Sequence, residues 1–186
     1  MNVSAHSNPQ FRQLVNGRNQ TGAHIALGLG LAGAAVLISA LVARRNAPIP
    51  ETPDVEAAYA RLDPPPFQPP KAVFGVIWPP LFMALTLSGL RLWNAPASPA
   101  RTQALTLWTA IQGLNAVWMA LGPRRLGGQL TAAVATLGTG VAYALAARKV
   151  DAPAAGLAAP YVGWIGFANV LTEELWRRNR VVPTIH

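Results

Sequence analysis

The residues best suited to chemistry in this chain are aromatic rather than ionisable. Trp78, Phe82, Trp118 and Trp164 lie within long apolar stretches, and Asn115 places one amide among them. Indole and phenyl faces stack on flat apolar molecules, while a single amide gives such a molecule a direction. The same residue types at helical spacing also serve as ordinary core packing, and pattern alone leaves both readings open. What the stretches lack narrows the chemistry. None holds Asp, Lys, Arg or His well inside, and His6, His24 and His186 are too scattered to form a metal site. Cysteine is absent, which removes disulfides, thiolate metal sites and cysteine nucleophiles. Glu173 and Glu174 precede Arg177 and Arg178 by one helical turn and read as interfacial ion pairs. Without a buried ionisable relay, general acid–base catalysis and proton-coupled pumping lose their usual machinery. The residues alone therefore predict no catalytic group, no metal and no bound cofactor.

The elements that carry these side chains follow from composition. Of the 186 residues, 52% are hydrophobic and 12% charged, about half the charged share of a soluble protein. A membrane-spanning helix needs ~20 apolar residues, since ~30 Å of hydrocarbon is crossed at 1.5 Å per residue. Five blocks meet this length: 22–43, 72–93, 103–121, 127–147 and 156–176. The fold class predicted is an all-α membrane protein, a bundle of five transmembrane helices over residues 22–179. Pro123, Pro153 and the pair Pro96 and Pro99 fall in the gaps, where helices can stop. Residues 1–21 are polar and are expected to be a disordered tail, with a short second tail at 180–186. Arg12 and Arg18 before the first block also suit a signal peptide. Against that, the block exceeds the usual h-region and lacks a small-x-small cleavage site before Arg44.

The net charge of +8 is arranged as short basic flanks, such as Arg44-Arg45, Arg124-Arg125, Arg148-Lys149 and Arg177-Arg178. Each flank closes an apolar block. This is the pattern of headgroup anchors and not of a phosphate-tracking stripe, so lipid is the expected partner and nucleic acid is not. With five spans, one side receives six basic residues: Arg12, Arg18, Arg91, Arg101, Arg148 and Lys149. The other receives nine: Arg44, Arg45, Arg61, Lys71, Arg124, Arg125, Arg177, Arg178 and Arg180. The bias predicts that the first loop and the carboxyl terminus face the cytoplasm. No Arg- and Ser-rich transit peptide opens the chain, so a bacterial inner membrane is the default location.

The first loop, residues 44–71, carries eight prolines, including Pro64-Pro65-Pro66 and Pro69-Pro70. Proline fixes φ and donates no backbone hydrogen bond, so the segment is stiff, with a short helix expected between Asp54 and Leu62. A spacer and a lid are both consistent with it. Counting along the helices places the aromatic residues relative to this loop. Trp78 lies six residues in from Ala72 and Asn115 six from Leu121, roughly 9 Å deep in each case. Trp118 is shallower and Ala168 a little deeper, so all sit in the half of the bundle beneath the loop. Pro79 and Pro80 withdraw two backbone donors just after Trp78, which predicts a bend and room beside it.

Other patterns are read as packing. Gly28-Leu-Gly30-Leu-Ala-Gly33 matches the dinucleotide fingerprint but lies inside a span, with no preceding strand or water-exposed helix start. Small residues recur every fourth position at Gly22, Ala26, Gly30 and Ala34, and at Gly128, Ala132, Thr136, Gly140 and Ala144. Such stripes let helices approach closely, within the bundle by default or across a homodimer.

The ordered motifs resemble the TspO/translocator protein family of tryptophan-rich sensory proteins. Tyr59-Ala-Arg-Leu62-Asp-Pro-Pro65-Pro-Phe67-Gln-Pro69-Pro70 is similar to that family's first loop. Phe74-Gly75-Val-Ile-Trp78-Pro-Pro-Leu81-Phe82, Leu114-Asn115-Ala-Val-Trp118 and Pro160-Tyr161-Val-Gly-Trp164-Ile-Gly-Phe167-Ala168 follow in register, ending on Trp176-Arg177-Arg-Asn179. The likeness implies a five-helix bundle, often a homodimer, that binds porphyrins and, in some members, sterols. It also implies a ligand pocket under the first loop, lined by Tyr59, Pro69, Trp78, Phe82, Asn115, Trp118 and Ala168; Trp164 is added from its motif. This chain departs from the pattern at Ala58 and Phe67, where the family has tryptophan, and at Thr172, where it has asparagine. Glu173 replaces the tyrosine of the animal sterol motif, which weighs against sterol as a ligand. A generic sterol pattern occurs at Val141, Tyr143 and Arg148.

The function this implies is a membrane receptor or transporter for porphyrins or similar flat apolar molecules, with porphyrin or heme as ligand rather than cofactor. Two alternatives stand beside it. One is photo-oxidative breakdown of bound porphyrin, which needs only indoles near the ring and is weakened by Phe67. The other is a small structural subunit of a larger membrane complex.

Overall fold

A computed structural model describes residues 8–46 and 51–180, and the elements run entirely as helices. A short helix α1 (Pro9–Leu14) precedes the first long one, α2 (Gly22–Asn46). Helix α3 (Pro53–Ala60) interrupts the first loop, and α4 (Lys71–Trp93), α5 (Pro99–Leu121), α6 (Leu126–Arg148) and α7 (Ala152–Asn179) complete the chain. Five of these helices are long and apolar enough to cross a membrane. They close a ring in which α2 packs on α5, α5 on α6, α6 on α7, α7 on α4, and α4 back on α2.

The outside of that ring is apolar, as a bilayer requires. Leu27, Leu31, Leu37, Ile38 and Leu41 on α2 are exposed, as are Val76, Met83, Val134 and Leu145 elsewhere. The inside holds Leu85, Leu92, Ile111, Tyr143, Tyr161 and Ile165. Within this core, Tyr143 and Ser88 share a hydrogen bond of 2.5 Å, and Ser88 Oγ donates to Ala154 O at 2.6 Å. In lipid such pairing is strongly favoured, because an unsatisfied group costs several kcal/mol.

Two helix starts differ from the expected gaps. Pro99 opens α5 behind the N-cap Ser98, whose side chain accepts from Arg101 N. Pro153 lies in the first turn of α7 behind Asp151, which accepts from Ala154 N. Proline is tolerated there because the first-turn N–H groups have no helical partner anyway. Helix α4 runs unbroken through Pro79 and Pro80.

The amino-terminal segment also differs from the expected disorder. Of the presumed tail, residues 8–21 are ordered, and residues 1–7 lie outside the described residues. Arg91 Nη1 donates to the carbonyls of Gln13 and Leu14 at 3.2 and 2.7 Å, and Asn94 Nδ2 donates to Val15 O at 2.8 Å. Val15 is fully buried in return. The segment is thus held by tertiary bonds to the end of α4, which local composition does not encode. Arg91 also forks onto Asp151, with Nε–Oδ2 at 2.6 Å and Nη2–Oδ1 at 3.0 Å.

The small-residue stripes separate. On α6, Ala132, Thr136 and Gly140 are buried inside the bundle, whereas Gly22, Ala26, Gly30 and Ala34 on α2 all face outward. The expectation that the α2 stripe packs within the bundle is therefore corrected. The buried positions of α2 are Ile25, Gly28, Ala32 and Ser39, on a different face of the helix.

Candidate functional site

At the end of the bundle where α4 begins and α7 ends, four helices part around a cavity of about 260 Å³. Helix α4 supplies Trp78 and Phe82, α5 supplies Asn115, Trp118 and Met119, and α6 supplies Ala133 and Thr136. From α7 come Ile165, Ala168, Asn169 and Thr172. The walls are mainly apolar, and no Asp, Glu, Lys, Arg or His is among these residues.

Aromatic contacts hold one wall in place. The Trp78 and Phe82 rings stack with centroids 5.2 Å apart and planes 20° from parallel, as expected one helical turn apart on α4. Trp164 meets Trp78 edge-on at 6.2 Å, and Phe74 and Phe167 pack on its other sides at 5.9 and 5.3 Å. Trp164 therefore buttresses the Trp78 wall from behind.

The polar groups are few and specific. Tyr161 donates its hydroxyl proton to Asn115 Oδ1 at 2.8 Å, leaving Asn115 Nδ2 buried without a partner. Asn169 Nδ2 donates to Ala133 O and Ile165 O at 3.0 and 2.8 Å, leaving Asn169 Oδ1 equally orphaned. Thr136 and Thr172 spend their hydroxyl protons on the carbonyls of Ala132 and Ala168, both at 2.7 Å. Buried polar atoms in native structures are nearly always paired, so two orphans in one cavity mark a place where something else supplies the bond.

The first loop lies at this end of the bundle. Asp63 N donates to Asn179 Oδ1 at 2.8 Å and Asn179 Nδ2 returns a bond to Asp63 O at 3.0 Å. Arg178 and Arg124 add exposed bonds to Asp63 and Asp54. Tyr59 is half-buried and hydrogen-bonded to the Gln129 side chain, and Gln129 Nε2 approaches Trp118 O at 3.5 Å. Burial pushes the Tyr59 phenol above its ordinary value of 10.0, and the Gln129 bond partly offsets this.

The residues singled out from the sequence thus divide. Trp78, Phe82, Asn115, Trp118 and Ala168 come together around the cavity, whereas Tyr59, Pro69 and Trp164 are not among its lining. Tyr59 instead meets the Gln129 side chain, itself outside the lining, and Phe67 is exposed. Met119, Ala133, Thr136, Ile165, Asn169 and Thr172 line it without having been anticipated. For Asn169 a usable signal existed, because an amide in an otherwise apolar span is costly unless it has a task.

A second cavity of about 270 Å³ lies between α2, α4 and α5, against Gly28, Leu31, Gly89, Trp93, Leu105 and Trp108. Its indoles are satisfied: Trp93 Nε1 donates to His24 O at 3.1 Å and Trp108 Nε1 to Leu85 O at 3.0 Å. It offers packing space without an unpaired polar group of its own.

Fold and cavity together define a multi-pass membrane protein, a ring of five helices with an aromatic-walled chamber at the end that carries a proline-rich loop. Sequence comparison gives that class a lineage. The chain belongs to the TspO/MBR family, whose model matches residues 27–177. It is 33% identical to the translocator protein of Bos taurus over 127 residues, covering 66% of this chain and 75% of the relative. Against the translocator protein of Homo sapiens it is 30% identical over 125 residues, covering 65% and 74%. Protein CrtK of Rhodobacter capsulatus is 27% identical over 126 residues, covering 66% and 79%.

Proposed function

We propose that this chain is a membrane receptor or carrier for a flat apolar ligand of the porphyrin class, taken up in the cavity between α4, α5, α6 and α7. The observation that carries the reading is the cavity itself, where Trp78, Phe82 and Trp118 supply ring faces and Asn115 and Asn169 supply free polar atoms. The name of the two mammalian relatives, translocator protein, supports carriage rather than catalysis. At about 260 Å³ the space lies just under the roughly 300–1,000 Å³ of pockets for drug-sized ligands. A macrocycle would therefore insert one edge, or the loop would withdraw to admit the whole ring. By the positive-inside rule the loop end faces the cytoplasm.

The test is a titration of purified protein with protoporphyrin, followed by quenching of tryptophan fluorescence. Saturable quenching is expected in the wild type and its loss in a Trp78→Ala, Asn115→Ala, Trp118→Ala triple variant. Equal saturable quenching in that variant rejects this site. Product analysis after illumination, with and without protein, separates binding from photo-oxidative breakdown.

A further inference from the structure

We propose that Asn169 selects, among flat apolar molecules, those that carry a hydrogen-bond donor on the ring edge, an N–H or O–H directed at its Oδ1. The inference rests on the reading of the cavity as a site for a flat ring and adds the chemistry by which it chooses one. Asn169 is 91% buried by its 9% exposure and sits on α7 in the cavity wall. Its amide cannot be turned round. Both Nδ2 hydrogens are engaged by carbonyl oxygens, that of Ala133 on the neighbouring helix and that of Ile165 one turn back. Reversal would set Oδ1 against those same two carbonyls, acceptor facing acceptor. Oδ1 is thereby fixed as an acceptor, and it has no partner.

Nor do its neighbours supply one. The hydroxyl protons of Thr136 and Thr172, the other hydroxyls of the cavity wall, are already donated to backbone carbonyls. Asn115 Nδ2 is free on α5, yet it makes no bond to Asn169. The donor must come from a molecule in the cavity. A ring that lacks one leaves the acceptor stripped of water and unpaired, which is how a buried polar group rejects an apolar isostere. Asn115 Nδ2 provides the converse group, ready for an acceptor elsewhere on the same ligand.

Carbazole and dibenzofuran test this, because both are flat three-ring molecules of nearly one shape and only carbazole has an N–H. Their affinities are measured by calorimetric titration of the purified protein in detergent, with micelles alone as blank. Wild type is expected to bind carbazole about 10-fold more tightly, the effect of one net hydrogen bond. N-methylcarbazole should fall to the level of dibenzofuran. In Asn169→Leu the ratio should collapse to about one, chiefly through loss of carbazole affinity. Equal wild-type affinity for carbazole and dibenzofuran overturns the donor requirement while leaving the apolar-ring site standing, and so does a preference that survives in Asn169→Leu. Binding of neither probe overturns both. The wild-type comparison needs no variant, so a misfolded substitution cannot shelter the proposal.

Discussion

Gly89 offers the sharpest check on how the bundle is packed. A Cβ at this buried position of α4 would lie 2.6 Å from Trp108 Nε1 and 2.7 Å from Trp108 Cε2, inside any tolerable contact. The indole lies against bare backbone there, and that approach lets it reach Leu85 O at 3.0 Å. Gly89→Ala therefore has to displace the indole. Overpacking of this kind costs about 1–3 kcal/mol, and the lost hydrogen bond adds about 1 kcal/mol. Alanine returns about 1 kcal/mol through its better helix propensity. The net is a destabilisation of about 1–3 kcal/mol. For a chain of this size each kcal/mol lowers Tm by roughly 2–4 °C, so a drop of several degrees is expected in detergent melts followed by fluorescence. Trp108→Ala removes the whole colliding ring, so Gly89→Ala should cost little further stability in a Trp108→Ala background. Strictly additive effects, or an unchanged Tm in Gly89→Ala, would refute the close approach.

Other outcomes follow from bonds described above. Arg91→Leu strips Asp151 of its partner at 12% side-chain exposure and should cost about 2–4 kcal/mol, with faster amide exchange confined first to residues 8–21. Arg91→Leu with Asp151→Leu should be less destabilised than the single change, and a larger loss would contradict the pairing. Asn179→Ala removes both bonds to Asp63 and should expose the loop around residues 60–70 to limited proteolysis without altering the melting of the helices. Tyr59 gives a pH dependence: its folded-state value is raised, so its contribution is present below the ordinary value of 10.0 and is lost as pH rises through the folded value. Protease protection of the loop should fall in alkali, and a Tyr59→Phe variant should lack that fall. Because the chain has no cysteine, Phe67→Cys labels without background, and an impermeant maleimide should reach it only from the cytoplasmic face.

The five spans were legible because ~20 apolar residues with basic flanks admit few other readings in water or lipid. Depth was legible as well. Rise per residue is fixed, so Trp78, Asn115, Trp118 and Ala168 were placed in one half of the bundle by counting alone. The direction in which a side chain points was not. Trp164 and Trp78 lie at comparable depth, yet one forms the cavity wall and the other supports it from behind, a difference set by how α7 is rotated against α4 and α6. The order of residues 8–21 escaped because Arg91 and Asn94 impose it from 75 or more positions away in sequence. Gly89 and Trp108 were unremarkable until α4 and α5 were set side by side.

The bundle is fastened unequally at its two ends. Where α4 meets α7, the Arg91 guanidinium grips a carboxylate and two carbonyls at once, in a spot with 13% of its side chain exposed. At the opposite mouth, the bonds between loop and α7 are open to solvent, where water competes for every one of them. Breathing motion should therefore concentrate at the mouth, with the far end acting as its pivot. A solute dissolved among the lipid tails would then enter sideways where the mouth ends of α4 and α5, the least closely packed of the walls, spread, with no need for the whole assembly to rearrange.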